Sequence, residues 1–175
     1  MYVVMMDSKF SPETIFYDFY KYYKSEKLML IYIPCIISVL LSFFIKINIT
    51  LINLLLVALS IFIGFLLNLM LMSFNLKDSD VPPIEFGGKH WYLTDFLEEY
   101  HYTISFEILI SIILIVLMLF TSLIYQNILV LVPNLIWVLK IIFNFILVYF
   151  LIIFLLLLLR VLKFGHILLK YYIKN

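Results

Sequence analysis

A single acidic side chain, Glu107, falls among residues that are otherwise apolar. A charge at the centre of a bilayer costs about 2.5–3.5 kcal/mol on insertion scales, so an intramembrane acid is a candidate for an ion or proton route. Residues three or four apart share a helix face. Thr103, Glu107, Ser111, Met118 and Ser122 therefore fall near one face, and Asn53, Val57, Ser60, Gly64 and Asn68 form a second stripe. Asn68 lies at about the depth of Glu107, roughly one turn inside the membrane from the cytoplasmic side. The two stripes are expected to face each other or to line a shared interior. Two uses of them stay open. In one, Glu107, Asn68 and Asn53 line a polar path through an oligomer. In the other they are polar glue between helices, with hydrogen bonds worth about 0.6–2 kcal/mol. Ser60-xxx-Gly64 and Ser38-xxx-Ser42 are small-residue pairs that allow close helix approach.

Other reactive side chains are scattered. His90, His101 and His166 share no metal-ligand spacing. Glu98-x-x-His101 is a single ExxH, where a di-iron bundle needs two such motifs and two more carboxylates. Cys35 is the one cysteine, so neither a disulfide nor a cysteine zinc site can be built within the chain. It also lacks a basic neighbour to make it a thiolate. There is no phosphate-binding glycine loop, HExxH motif or nucleophile elbow. No catalytic residue, metal ligand or cofactor is nominated, and an enzyme is not expected. A net charge of +1 leaves no basic excess for nucleic-acid phosphates.

The elements that position these residues follow from composition. Of 175 residues, 66% are hydrophobic and 13% charged. Mean hydropathy is +1.16. A soluble domain of this size could not hide so much apolar side chain. A helix needs about 20 apolar residues to cross about 30 Å of hydrocarbon. Long uncharged runs occur at Leu28–Ile45, Ile47–Leu76, Ile108–Leu139 and Ile141–Leu159. They predict an all-α integral membrane protein with four transmembrane helices, at about 28–45, 51–73, 104–125 and 135–159. Lys46, Asn48 and Thr50 mark a tight turn, and Gln126, Asn127, Pro133 and Asn134 break the last two helices apart. Pro34 is a candidate kink in the first. Beyond Asn144 the fourth helix is apolar all round and is expected to face lipid. Charges and aromatics fill residues 1–27, and the first long apolar run starts too late for a cleaved signal.

Five units result: an N-terminal segment (1–27), a first helical hairpin (28–73), an acidic loop (74–103), a second hairpin (104–159) and a basic tail (160–175). Lys9, Lys21, Lys24, Lys27, Lys77, Lys89, Arg160, Lys163, Lys170 and Lys174 fall on one side, against Lys46 and Lys140 on the other. Cytoplasmic loops carry the Lys and Arg excess, so both termini are expected in the cytoplasm of an inner (plasma) membrane protein. Pro12 suits a first helical position and Glu13 the positive helix start, with Ser11 as cap. Ile15, Phe16, Phe19, Tyr22 and Tyr23 recur at helical spacing, predicting an amphipathic interfacial helix or a docking face for a partner helix. In the acidic loop, Val81-Pro82-Pro83 should be extended and Gly87-Gly88 should turn, beside the aromatic cluster His90, Trp91 and Tyr92. Asp95 and Glu98 resemble a capping box opening a short helix. Lys77 and Lys89 against Asp78, Asp80, Glu85, Asp95, Glu98 and Glu99 leave the loop at −4, and the tail carries +4. The two segments either pair or leave the tail to anionic lipid, at about 1 kcal/mol per basic residue. Phe16, Phe19, Tyr23, Trp91, Glu98, Glu99, Lys163 and Lys170 are the candidate partner or lipid contacts.

Four spans, small outer turns, an aromatic N-terminal helix and a loop before the third span resemble the small four-span membrane proteins of bacterial anti-phage defence systems. Examples are the membrane subunit of Kiwa and the transmembrane effectors of cyclic-nucleotide signalling systems. The resemblance implies a homo-oligomer, a soluble cytoplasmic partner and loss of membrane integrity as the output. No nucleotide-sensing domain is recognisable, so a sensor would be a separate protein. A small channel or transporter using Glu107, and a passive membrane anchor, are the rival expectations.

Overall fold

A computed structural model describes residues 12–23, 28–44, 48–75, 84–86, 89–91, 93–127 and 133–174. The chain is almost entirely helical. Helix α1 spans Pro12–Tyr22. A π-helical turn, Leu28–Tyr32, leads into α2, Ile33–Phe44. Helices α3 (Ile49–Asn75), α4 (Leu93–Asn127) and α5 (Pro133–Lys174) follow. Strands β1 (Ile84–Phe86) and β2 (Lys89–Trp91) pair antiparallel before α4. Phe86 opposite Lys89 leaves two positions for the loop, the length that glycine pairs favour. The hairpin was not expected from a pattern read for helices. Gly87-Gly88, like Ser11 and Val81-Pro82-Pro83, lie outside the described residues.

Among the described residues, three helices, within Ile49–Ser73, Asp95–Leu123 and Ile141–Lys170, are long and apolar enough to cross a membrane. Their surfaces agree, with Leu54, Ile61, Leu71, Phe120 and Leu159 among many large apolar side chains left exposed. This is a membrane protein. The first expected span is shorter: its apolar helix, Leu30–Phe44, falls below the length that spans. The π turn falls just before buried Pro34, which lacks the N–H of a regular ladder. Asn48 caps α3, its Oδ1 accepting from the Leu51 N–H at 2.8 Å.

A seven-residue repeat organises the packing. Helix α3 buries Ile52, Leu59, Leu66 and Ser73. Helix α4 buries Leu97, Ile104, Ser111 and Met118 on one line and Tyr100, Glu107, Leu114 and Thr121 on the next. Helix α5 buries Leu147, Phe154, Val161 and Leu168. A 3.5-residue period is that of nearly aligned helices packing knobs into holes. Helix α4 is central: α3, α5 and α1 all pack on it, while α2 packs on α5. The expected pairing of the first two spans as a hairpin is therefore replaced by α2 against α5 and α3 against α4.

Two sequence boundaries move. Helix α4 starts at Leu93, so the break expected at 103/104 falls inside it. Helix α5 continues through the expected basic tail. At 42 residues it is about 63 Å long, roughly twice the hydrocarbon thickness. The extensions pack on each other through Phe96, Leu97, Tyr100, Ile104, Val161, Phe164 and Leu168, with Leu66 of α3 joining them. The end of α3, the start of α4 and the end of α5 thus meet at one end of the molecule. Helix α5 is also corrected in placement: Leu147, Val148, Phe154 and Leu157 are core, and α3 is the helix most open to lipid. Apolar side chains suit a lipid face and a packed face equally, so hydrophobicity alone cannot choose between them.

Candidate functional site

The chemistry-bearing side chains gather where α1, α4 and α5 meet. Phe16, Phe19 and Tyr23 fall three and four residues apart, so α1 turns one aromatic face inward and leaves Glu13, Tyr17 and Lys21 outside. The Phe19 ring stacks on Phe106 with centroids 3.9 Å apart and planes 11° from parallel. Phe16 and Tyr20 meet the same ring edge-on, at 5.2 and 6.2 Å. Phe19 and Tyr23 are only 1% and 2% exposed. Within the chain their aromatic face packs on α4, with Phe106 as its main ring partner. Phe16 is half-buried against the same ring.

Tyr23 joins the three helices. Its hydroxyl donates to Glu99 Oε1 at 2.8 Å and shares a 2.9 Å hydrogen bond with Thr103 Oγ1. Thr103 in turn donates to the Glu99 carbonyl at 2.8 Å. Two hydroxyl hydrogens thus serve three contacts, so one is shared. The Arg160 guanidinium lies over the Tyr23 ring, 3.7 Å from its centroid. Burial pushes the Tyr23 hydroxyl well above its ordinary range, with Thr103 and Arg160 opposing. Burial also raises Tyr20.

One turn beyond Thr103 on α4 lies Glu107. It is 0% exposed, and among the described residues neither carboxyl oxygen has a hydrogen-bond partner. Ser111, one turn further, donates to the Glu107 carbonyl at 2.8 Å and leaves the carboxyl alone. Because α4 is continuous from Leu93, Glu107 sits well inside the 29-residue stretch Asp95–Leu123, deeper than one turn from its start. Thr103, Ser111 and Met118 are buried on its side, and Ser122 is half-buried.

The two polar stripes do not meet within one chain. Asn53, Val57, Ser60, Gly64 and Asn68 are all exposed. The α3 face toward α4 is the Ile52, Leu59 and Leu66 line instead. Ser60 donates to its own helix, at the Leu56 carbonyl. A Cβ added at Gly64 would meet nothing within 4 Å.

Among the remaining candidates, Glu98 is exposed and accepts from Tyr102 at 3.2 Å. Lys163 and Lys170 are exposed on α5. The acidic start of α4 and the basic end of α5 do lie together, joined by apolar contacts such as Phe96 on Phe164 at 5.1 Å. Trp91 is placed by its backbone in β2, and its side chain lies outside what is described. Phe106 and Arg160 were not singled out from sequence. Phe106 is one apolar residue among many there, and Arg160 reads as a generic end-of-span cation. That Arg160 is the single arginine was the available signal.

Among the described residues, no three His, Cys, Asp or Glu side chains gather as a metal site. The fold and junction define a class: a helical membrane protein with an aromatic N-terminal helix docked beside a buried carboxyl. No protein-family model matches the chain, and no curated protein or solved structure does either.

Proposed function

We propose that this chain is a homo-oligomeric inner-membrane subunit of a bacterial anti-phage defence system. It keeps both termini in the cytoplasm, recruits a soluble cytoplasmic protein and permeabilises the membrane when triggered. On this reading the short helix α2 makes the fourth pass, its shortness met by local thinning of the bilayer. Tyr23 touches Glu99 and Arg160, so the chain leaves α1 and returns along α5 at the same end. Helix α3 ends there too, beside Phe96 and Leu97, so α2 has the full distance to cover before α3 begins. The α4 and α5 extensions beyond the bilayer supply the recruiting surface, with Glu98, Lys163 and Lys170 on it.

The observation that carries the reading is the outward stripe Asn53, Ser60, Gly64 and Asn68. Two amides 15 residues apart, about 22 Å along the helix, lie with a small-xxx-small pair on the face most open to lipid. Amides in hydrocarbon lack partners, and a second copy aligned on the same seam supplies them. Ser60→Cys should then crosslink between chains in native membranes, and Gly64→Leu should abolish the crosslink without unfolding the monomer. Phage challenge with a membrane-potential dye tests the output. Depolarisation on infection that the Gly64→Leu variant loses is expected. Unchanged potential and phage yield would remove the defence reading.

Buried Glu107 favours a second reading, a small ion channel or transporter. It expects constitutive flux in liposomes containing this chain alone, abolished by Glu107→Gln.

A further inference from the structure

We propose that α1 is a releasable strap that closes Glu107 off from water, with Tyr23 as its latch. This inference stands apart from the defence reading and survives its failure. Among the described elements, α1 packs chiefly on α4. It covers Phe106 with Phe16, Phe19 and Tyr20, and it covers Thr103 with the Tyr23 hydroxyl. Phe106 and Thr103 flank Glu107, as its chain neighbour and as the residue one turn back. All three are at most 3% exposed. Among the described residues, neither carboxyl oxygen of Glu107 makes a hydrogen bond that would hold α1 in place. Tyr23 gives the strap polar contacts to Glu99, Thr103 and Arg160.

The arrangement suits controlled opening. A buried carboxyl without a partner gains from meeting water or a cation, so burial of Glu107 works against the closed state. Aromatic packing and two hydrogen bonds at Tyr23 oppose it. Lifting α1 uncovers Phe106 and Thr103 and frees the ring face that Arg160 occupies. Water then reaches Glu107 from the end where Arg160 leaves the bundle.

The test uses the full chain in liposomes. A water-soluble carbodiimide with an amine nucleophile labels reachable carboxyls, and mass spectrometry reads Glu107 against exposed Glu13. Maleimide labelling of Cys35 on α2 reports general loosening. Glu107 in the unaltered protein should label far more slowly than Glu13. Tyr23→Phe keeps the ring but loses the hydroxyl, and should speed Glu107 labelling about tenfold, because labelling tracks the open population. The double variant Phe19→Ala with Tyr23→Ala should speed it further, with Cys35 unchanged. Three results would overturn the strap: Glu107 labelling as fast as Glu13 from the start, no acceleration in either variant, or Glu107 and Cys35 accelerating together.

Discussion

Tyr23 and Glu107 are neighbours with opposite accounts of themselves. Among the described residues, Tyr23 is buried with hydrogen-bond partners and the Glu107 carboxyl is buried with none. Tyr23→Phe should cost about 1–2 kcal/mol in α1 docking, read by protease protection of residues 12–23. Burial raises the folded-state pKa of Tyr23 above the ordinary 10.0. Its contribution is therefore complete below about pH 10 and fades as pH rises above that. Protection of α1 in the unaltered protein should fall in alkali relative to Tyr23→Phe, which has no such hydroxyl to titrate. Glu107→Leu should raise the melting temperature in detergent, by an amount equivalent to about 1–3 kcal/mol, because it removes a polar group that is buried unpaired. A lower melting temperature would mean that the carboxyl gains a partner in the assembled protein.

Helices α4 and α5 share two apolar clusters, one along the middle of the helices and one at the start of α4 and the end of α5. Within lipid, close packing and polar contacts hold helices together, since the surroundings are as apolar as the side chains. Toward the start of α4 and the end of α5, Phe96, Tyr100, Phe164 and Leu168 make a second apolar cluster. Charge pairing between the acidic and basic segments is one of the two alternatives that the sequence leaves open, and exposed ion pairs contribute about 0–1 kcal/mol. Truncating a packed phenylalanine costs about 3–5 kcal/mol. Phe164→Ala should therefore loosen the extension, seen as faster amide exchange over 161–170, while Lys170→Glu should leave exchange nearly unchanged. Gly165 lies mid-helix, and a Cβ there would meet only the Tyr100 hydroxyl, at 4.0 Å. Gly165→Ala should be neutral or stabilise by up to about 1 kcal/mol in a thermal melt.

Seen entire, the molecule places α4 at its centre and leaves α3 on the rim. The rim carries the Asn53, Ser60, Gly64 and Asn68 stripe, and the centre carries Glu107. On the proposed readings, assembly and an ion route fall to different helices, so the two can be separated. Gly64→Leu should lower the mass of the detergent-solubilised particle to that of one chain plus detergent, while Glu107→Gln should leave it unchanged. Light scattering distinguishes these outcomes.

Long uncharged runs told that the chain belongs in lipid and roughly where α3, α4 and α5 lie, because the cost of charge in hydrocarbon leaves few alternatives. The α4–α5 break was also readable, since Asn127 and Pro133 bound the observed helices. Three things were not. The seven-residue repeats of α3, α4 and α5 are masked because lipid-facing positions are as apolar as packed ones. The α1 stripe announced an aromatic face, but Phe106 as its target had to come from the fold. The outward turn of the α3 stripe was likewise hidden, because residue spacing defines which side chains share a face and says nothing of which neighbour that face meets.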